Sequence, residues 1–265
     1  MVDHHDLKRC ERHEIMKWDK LGTAATKPGP VEVLKRVCRP TGRADTHLAW
    51  RAGLMVAALS SRARLSIVKL GGSHANGPHI KDWLAAIVAE AGTIAIVPGG
   101  GPFADAVRTA QASMGYDDRA AHAMALTAMA QFGCALQSLN PALRLTASRS
   151  AILRALKDGK VPVWSPETMA RAAALPETWE LTSDSLAAWL AGALGAGRLV
   201  LVKHGRFEPG TVNAHCLVAR GVVDPLFPHY LGGSGARAWL AAPTDSARLA
   251  EGLRRPIFPE IVQTT

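Results

Sequence analysis

The chain has 265 residues, 48% of them apolar and 20% charged, with a formal net charge of +9. This length fits one large α/β domain or two small ones, and the apolar share supplies a substantial core. It excludes a disulfide scaffold, because the four cysteines (Cys10, Cys38, Cys134, Cys216) are scattered without a CxxC pair, and a helical membrane protein, because no apolar run approaches the ~18–20 residues that span a bilayer.

The charge is uneven along the chain. Residues 1–64 carry 13 Lys/Arg against 7 Asp/Glu, whereas the remaining residues carry 18 against 15. The excess therefore sits on an N-terminal stretch with no steady apolar period, punctuated by Lys27-Pro28-Gly29-Pro30 and Arg39-Pro40-Thr41-Gly42. Residues 1–64 read as a basic, poorly ordered extension and residues 65–265 as the folded domain. No basic stripe is interleaved with aromatics, so nucleic acid is not an expected partner. The polar start, Met1-Val2-Asp3-His4-His5-Asp6, does not read as a secretory signal, and the scattered thiols suit the cytoplasm.

From Leu65 the pattern becomes regular. An apolar strand over 65–70 is followed by Gly71-Gly72-Ser73 and a helix near 78–91. A second strand over 93–97 leads through Pro98-Gly99-Gly100-Gly101-Pro102 into a helix near 102–114. A long Ala- and Met-rich helix is predicted from about Asp118 to Ser138, with apolar positions at helical spacing. Short elements follow: Arg144–Ala147, a helix over Ser150–Asp158, and Val161–Trp164. A helix over 183–195 and a strand over 198–203 complete the regular part. Trp239 and the Ala-rich stretch 236–242 suggest another helix, and the proline-punctuated tail from Pro243 reads as a surface wrap. Strands apolar on both faces, alternating with helices, imply an α/β fold: a three-layer αβα sandwich around a mainly parallel sheet.

Ligands of such sheets bind at the carboxyl ends of the strands, where Lys69, Gly99–Gly101 and Lys203 fall. Lys69 ends an apolar strand, where an unpaired ammonium is costly, and precedes glycines whose N–H groups can reach phosphate oxygens. The competing reading is a lysine reaching out to solvent. Three successive glycines are entropically expensive in a fixed loop, so Gly99, Gly100 and Gly101 suggest close approach of backbone to an anion, with Pro102 opening the next helix. Asp184 opens a helix and reads either as a charge complementing the dipole or as a group orienting lysines. Lys203, Asp105, His122 and the pair Gly232-Gly233 are further candidates for contact with substrate or phosphate. Neither GxxxxGK[ST] nor GxGxxG occurs, which disfavours a P-loop and a dinucleotide fold.

The order Lys69-Leu70-Gly71-Gly72, then Gly99-Gly100-Gly101, then Asp184-Ser185-Leu186-Ala187-Ala188 resembles the amino acid kinase superfamily over about residues 65–240. That resemblance implies ATP as phosphoryl donor, usually with Mg2+, and a carboxylate, carbamate or phosphate as acceptor. It implies Lys69, Asp184 and Lys203 as catalytic residues, with Gly71, Gly72, Ser73, Gly232 and Gly233 on ATP phosphates. It implies Gly99, Gly100, Gly101, Asp105 and His122 on the acceptor; separately, the spacing of Cys10, His13 and Cys38 fits no zinc pattern, and no protein metal site is expected. Val97–Asp105, Ala120–Leu126, Leu181–Trp189 and Val223–Pro228 resemble a narrower branch, the kinases of (5-(aminomethyl)furan-3-yl)methyl phosphate in methanofuran-type one-carbon metabolism. It further implies a small phosphorylated substrate, a cytoplasmic homo-oligomer (dimer or higher), and Asp105 as the partner of an aminomethyl group.

Two departures stand beside this resemblance. Many members carry a Thr-Asp-Val-Asp-Gly-like segment where this chain has Val202-Lys203-His204-Gly205, and a lysine after the later Gly-Gly, where only Arg237 follows. A non-catalytic protein that binds a nucleotide or oxyanion for storage or regulation therefore stays open. So does a kinase for another acceptor: uridylate, isopentenyl phosphate or an acyl carboxylate.

Overall fold

The computed structural model describes residues 64–72 and 77–263, so Ser73 and the expected extension, apart from Arg64, lie outside the described residues. The strands are β1 (Ser66–Leu70), β2 (Ile94–Pro98), β3 (Leu143–Thr146), β4 (Val161–Trp164), β5 (Arg198–Val202), β6 (Thr211–Asn213), β7 (Arg237–Ala241) and β8 (Glu260–Val262). They form one sheet in the order β3-β4-β2-β1-β5-β7-β8-β6. The run from β3 to β7 is parallel throughout; β8 pairs antiparallel with β7 and parallel with β6. Every residue of β1, β2 and β4 is buried, as expected for strands covered on both faces.

The helices are α1 (Ile80–Ala89), α2 (Gly101–Met114), α3 (Asp118–Leu139), α4 (Arg149–Lys157), α5 (Glu167–Ala172), α6 (Ser183–Leu194), α7 (Ala214–Ala219), α8 (Phe227–Ser234) and α9 (Leu249–Gly252), with a 3-10 turn over Pro243–Arg248. Local chemistry sets several boundaries. The Asp117 side chain accepts from the Ala120 N–H at the start of α3, and Ser148 accepts from the Ala151 N–H at the start of α4. Gly115 and Gly195, at φ 74° and 69°, end α2 and α6 in the left-handed conformation.

Strand alternation divides the core in two. Ile67, Val97, Leu199 and Leu201 face one side, where Leu186, Ala187 and Leu190 of α6 and Phe227 of α8 pack on them. Val68, Ile96, Val200 and Val202 face the other, against Trp83, Leu84 and Ile87 of α1 and Leu249 of α9. The three-layer αβα sandwich is thus present. The same alternation puts Lys69 on the α6 face of β1, two residues after Ile67.

Two expectations are corrected. Residues 237–241 form a strand, β7, not a helix. Their alanines favour a helix in isolation, but Ala238, Trp239, Leu240 and Ala241 are buried between β5 and β8, and burial in the sheet overrides propensity. The tail is not a surface wrap: it supplies β8 and buries Leu249, Leu253, Phe258 and Ile261. Among the described residues no helix is long and apolar enough to cross a membrane.

The place of the tail in the core is testable. Phe258 is 3% exposed and its ring lies against Gly252. Phe258→Ala should cost about 3–5 kcal/mol of folding stability in denaturant titration, where a surface tail would lose almost nothing.

Candidate active site

The centre of the site is one buried carboxylate between two ammonium groups. Lys69 Nζ lies 2.9 Å from Asp184 Oδ1, and Lys203 Nζ lies 2.5 Å from Asp184 Oδ2. Lys69 is the penultimate residue of β1, Lys203 follows the last residue of β5, and Asp184 stands in the first turn of α6. β1 and β5 are direct parallel neighbours with Lys69 opposite Leu201, so the two lysines leave adjacent strands on the same face. Lys69 and Asp184 are 5% and 3% exposed, and the Lys203 side chain 17%.

Burial dominates the electrostatics. Loss of water pushes the Lys69 ammonium down from 10.5 to about 8, and Lys203 pushes the same way; Asp184 opposes them. For Asp184, burial works to raise the value, but the two lysines outweigh it and hold the carboxyl below its usual range. At neutral pH these three side chains carry one surplus positive charge, a setting that favours an incoming anion.

The two glycine turns meet beside this cluster. A Cβ on Gly72 would stand 1.9 Å from the Gly101 nitrogen, and one on Gly99 2.3 Å from the Gly72 nitrogen. The Gly99 N–H also donates to the Leu70 carbonyl at 2.8 Å. Close contact between the turns themselves therefore requires Gly72 and Gly99, while Gly101, at φ 58°, needs glycine for its backbone conformation. This is a structural demand that the anion reading of the sequence did not anticipate, and it places both turns in the wall of one cleft.

From these turns opens a cavity of about 210 Å³. Gly72 and Gly99–Gly101 form its floor, Leu126, Met129, Leu181 and Leu186 its apolar wall, and Asp105, Arg108, His122 and Trp179 its polar and aromatic groups. His122 is 4% exposed, and its Nδ1 lies 3.1 Å from the Thr178 carbonyl oxygen. Burial holds its pKa below the usual value, so the ring is neutral at pH 7. A carbonyl only accepts, so Nδ1 carries the proton and Nε2 is left as an acceptor. Asp105 is largely exposed and paired with Arg108 at 3.2 Å. Arg108 in turn stacks over the Trp179 ring at 4.3 Å, and Trp179 Nε1 donates to Gln111 Oε1 at 2.7 Å.

The candidate residues thus fall into two groups. Lys69, Asp184 and Lys203 converge, and Gly72, Gly99, Gly100, Gly101, Asp105 and His122 share the cavity, with Gly71 directly after β1. Gly232 and Gly233 are not brought to the site. They form the last turn of α8, where Gly233 and Ser234 lie against Gly192 of α6, about 12 Å along that helix from Asp184. Arg237, the cation following them, is bound to Glu260 across β7 and β8 at 2.7 and 2.8 Å. Arg108 and Trp179 were not singled out from the sequence; the Asp105–Arg108 spacing of one helical turn is a sequence signal, whereas the approach of Trp179 is not.

A profile of the amino acid kinase family matches residues 64–204, more than half of the chain. The chain belongs to the amino acid kinase family. Solved structures agree on the fold: uridylate kinase from Archaeoglobus fulgidus aligns with a TM-score of 0.59 at 16% identity, over 75% of this chain and 100% of its own. UMP kinase from Ureaplasma parvum aligns at 0.58 and 14%, over 76% and 100%. Aspartate kinase from Synechocystis aligns at 0.51 and 15%, over 76% of this chain and 40% of its own. At these identities the likeness shows an amino acid kinase fold and nothing finer. No curated protein sequence matches.

Two outcomes follow from the geometry. Gly72→Ala should lower stability by roughly 2 kcal/mol in thermal or chemical unfolding, because backbone must move; Gly233→Ala, with open space at its Cβ, should cost almost nothing. The second concerns Lys69, which is easier to deprotonate folded than unfolded. The unfolded chain therefore binds more protons between pH 8 and 10.5, and stability from this group rises over that window. Unfolding at pH 7.5 and pH 10 should show the wild type gaining on the order of 2–3 kcal/mol relative to Lys69→Met.

Proposed function

We propose that the protein is an ATP-dependent small-molecule kinase that converts a phosphate monoester to a diphosphate, with (5-(aminomethyl)furan-3-yl)methyl phosphate as the acceptor. The observation that carries this reading is the surplus positive charge of Lys69, Asp184 and Lys203, the first two close along the chain to Gly72, Thr182 and Ser183, which line a half-apolar cavity with the Gly99–Gly101 turn. Phosphoryl transfer asks a protein for positioning and for charge on the migrating group, not for covalent chemistry.

In this reading Lys69 and Lys203 lie on either side of the transferring phosphoryl group, and Asp184 holds them apart and aimed. The Gly99–Gly101 turn and the start of α2 take the acceptor phosphate. An acceptor oxygen attacks the γ-phosphorus in line, the bond from that phosphorus to the bridging oxygen breaks, and ADP leaves with the electron pair. Among the described residues no group of three His, Cys, Asp or Glu side chains is placed to hold a metal ion. In this reading magnesium travels on the triphosphate, where it would neutralise charge. The ring of the acceptor suits the wall of Leu126, Met129 and Leu181. Its aminomethyl group finds a neutral acceptor in His122 and a carboxylate in Asp105, though Asp105 already serves Arg108.

A second reading, nucleotide or oxyanion binding without transfer, is favoured by one observation. Arg237, the cation after Gly232-Gly233, is engaged by Glu260 away from the lysine pair and so adds no charge to it.

A coupled ADP-release assay separates these readings. It should compare the aminomethylfuran phosphate with uridylate, isopentenyl phosphate and acetylglutamate. Turnover highest on the furan phosphate is expected, and Lys69→Ala should reduce kcat on the order of 10³-fold while the protein stays folded. Calorimetric ATP binding without ADP release on any acceptor would establish the second reading.

A further inference from the structure

A second buried carboxylate lies behind the first and has no part in the assignment above. Asp224 is 7% exposed and stands just before α8, outside the stretch that matches the family profile. Its Oδ2 accepts from the Thr182 N–H at 3.0 Å, the Thr182 hydroxyl at 2.7 Å and the Ser185 N–H at 3.0 Å. Its Oδ1 accepts from the Ser185 hydroxyl. Four donors at the start of α6 therefore converge on one side chain from elsewhere in the chain.

This arrangement replaces the usual local cap. Thr182 is the N-cap residue of α6, but its hydroxyl makes no cap bond within the helix and turns instead to Asp224. The first N–H groups of a helix need an acceptor, and a carboxylate there also meets the positive end of the dipole. Asp184 lies between Thr182 and Ser185, the two residues Asp224 grips. Residues at these positions share one helical turn, so a shift of that turn moves the Asp184 carboxylate relative to both lysines.

We propose that Asp224 is a positioning residue: by clamping Thr182 and Ser185 it fixes the first turn of α6, and so holds the Asp184 carboxylate between Lys69 and Lys203. The clamp rests on the kinase reading for its purpose, but its physical effect on Lys69 does not depend on turnover. The charged groups facing Lys69 are Asp184 from α6, Lys203 from the end of β5 and Asp224 from the segment before α8. Tyr230 of α8 also faces Asp224, whose charge pushes the phenol's pKa upward after burial. Asp224 supports the charged form of Lys69 directly, and also through the placement of Asp184. Removing its charge should therefore make Lys69 lose its proton at lower pH.

The test is Asp224→Asn in the full chain, read in two ways. NMR of the protein labelled with [13Cε]lysine should show Lys69 titrating near pH 8 in the wild type and at least about half a unit lower in the variant, whether or not the protein has turnover. Where the wild type turns over, kcat should fall about 10-fold or more with KM for ATP changed far less, and the alkaline limb should move down with Lys69. A folded Asp224→Asn with the wild-type Lys69 titration and wild-type kcat overturns the clamp. If Asp224→Asn does not fold, the double variant Thr182→Val, Ser185→Ala decides. It keeps the charge and removes two of the four bonds, so a fall in kcat of about 3-fold or more, or a displaced Lys69 titration, supports the clamp, and wild-type values of both overturn it. A wild type with no turnover, yet with the expected Lys69 shift, removes the kinase reading and leaves the clamp standing.

Discussion

The structure depends on a single buried carboxylate shared by two lysines. Three ionised side chains at the edge of an apolar core are expensive to desolvate, and an ion pair with one partner missing would cost several kcal/mol. The arrangement at Asp184 contains that cost by symmetry: each carboxylate oxygen faces one ammonium. The balance is incomplete, because one positive charge is left over. A chain under no demand but stability would bury apolar side chains at these strand ends instead.

Backbone packing brings the rest of the site to that charge. β1 lies at the middle of the sheet, with β2 on one side and β5 on the other. The turn after β1 and the turn after β2 touch so closely that Gly72 and Gly99 have no room for a side chain. That contact sets where α2 begins, and with it one wall of the cavity. α6 closes the other side: its apolar face packs on Ile67, Leu199 and Leu201, while its first turn carries Asp184 and is held from outside by Asp224. The same helix is a core element and the carrier of the site's central charge, so packing and electrostatics are coupled through it.

Much of this was legible in the sequence, for stated reasons. Continuous β-branched runs ending in glycine marked β1 and β2, but a buried Lys69 and one reaching solvent both stayed open until the fold buried it. Asp184 was legible as a helix-opening acid that either complements the dipole or orients lysines; only the fold decides between the two, since the pairing with Lys69 and Lys203 joins residues on three separate elements. The glycine runs pointed to an anion more than to a plain turn, whereas Gly72 and Gly99 are required first by each other. β7 was misread because alanine-rich stretches favour helices until a sheet buries them. Gly232 and Gly233 were placed at the site by their order in the chain, whereas α8 carries them to the far end of α6. Asp224 sits in a Val-Asp-Pro-Leu segment with no local mark of its role, because its four donors come from about forty residues away.

The surplus charge at Lys69, Asp184 and Lys203 is proposed to meet a transferring phosphoryl group. A crystal structure with a non-hydrolysable ATP analogue, magnesium and the phosphate-monoester acceptor tests it directly. The terminal phosphate of the analogue is expected within hydrogen-bonding distance of both Lys69 Nζ and Lys203 Nζ, with the acceptor phosphate on the Gly99–Gly101 turn. A nucleotide bound elsewhere, with both lysines in contact only with Asp184, would contradict it.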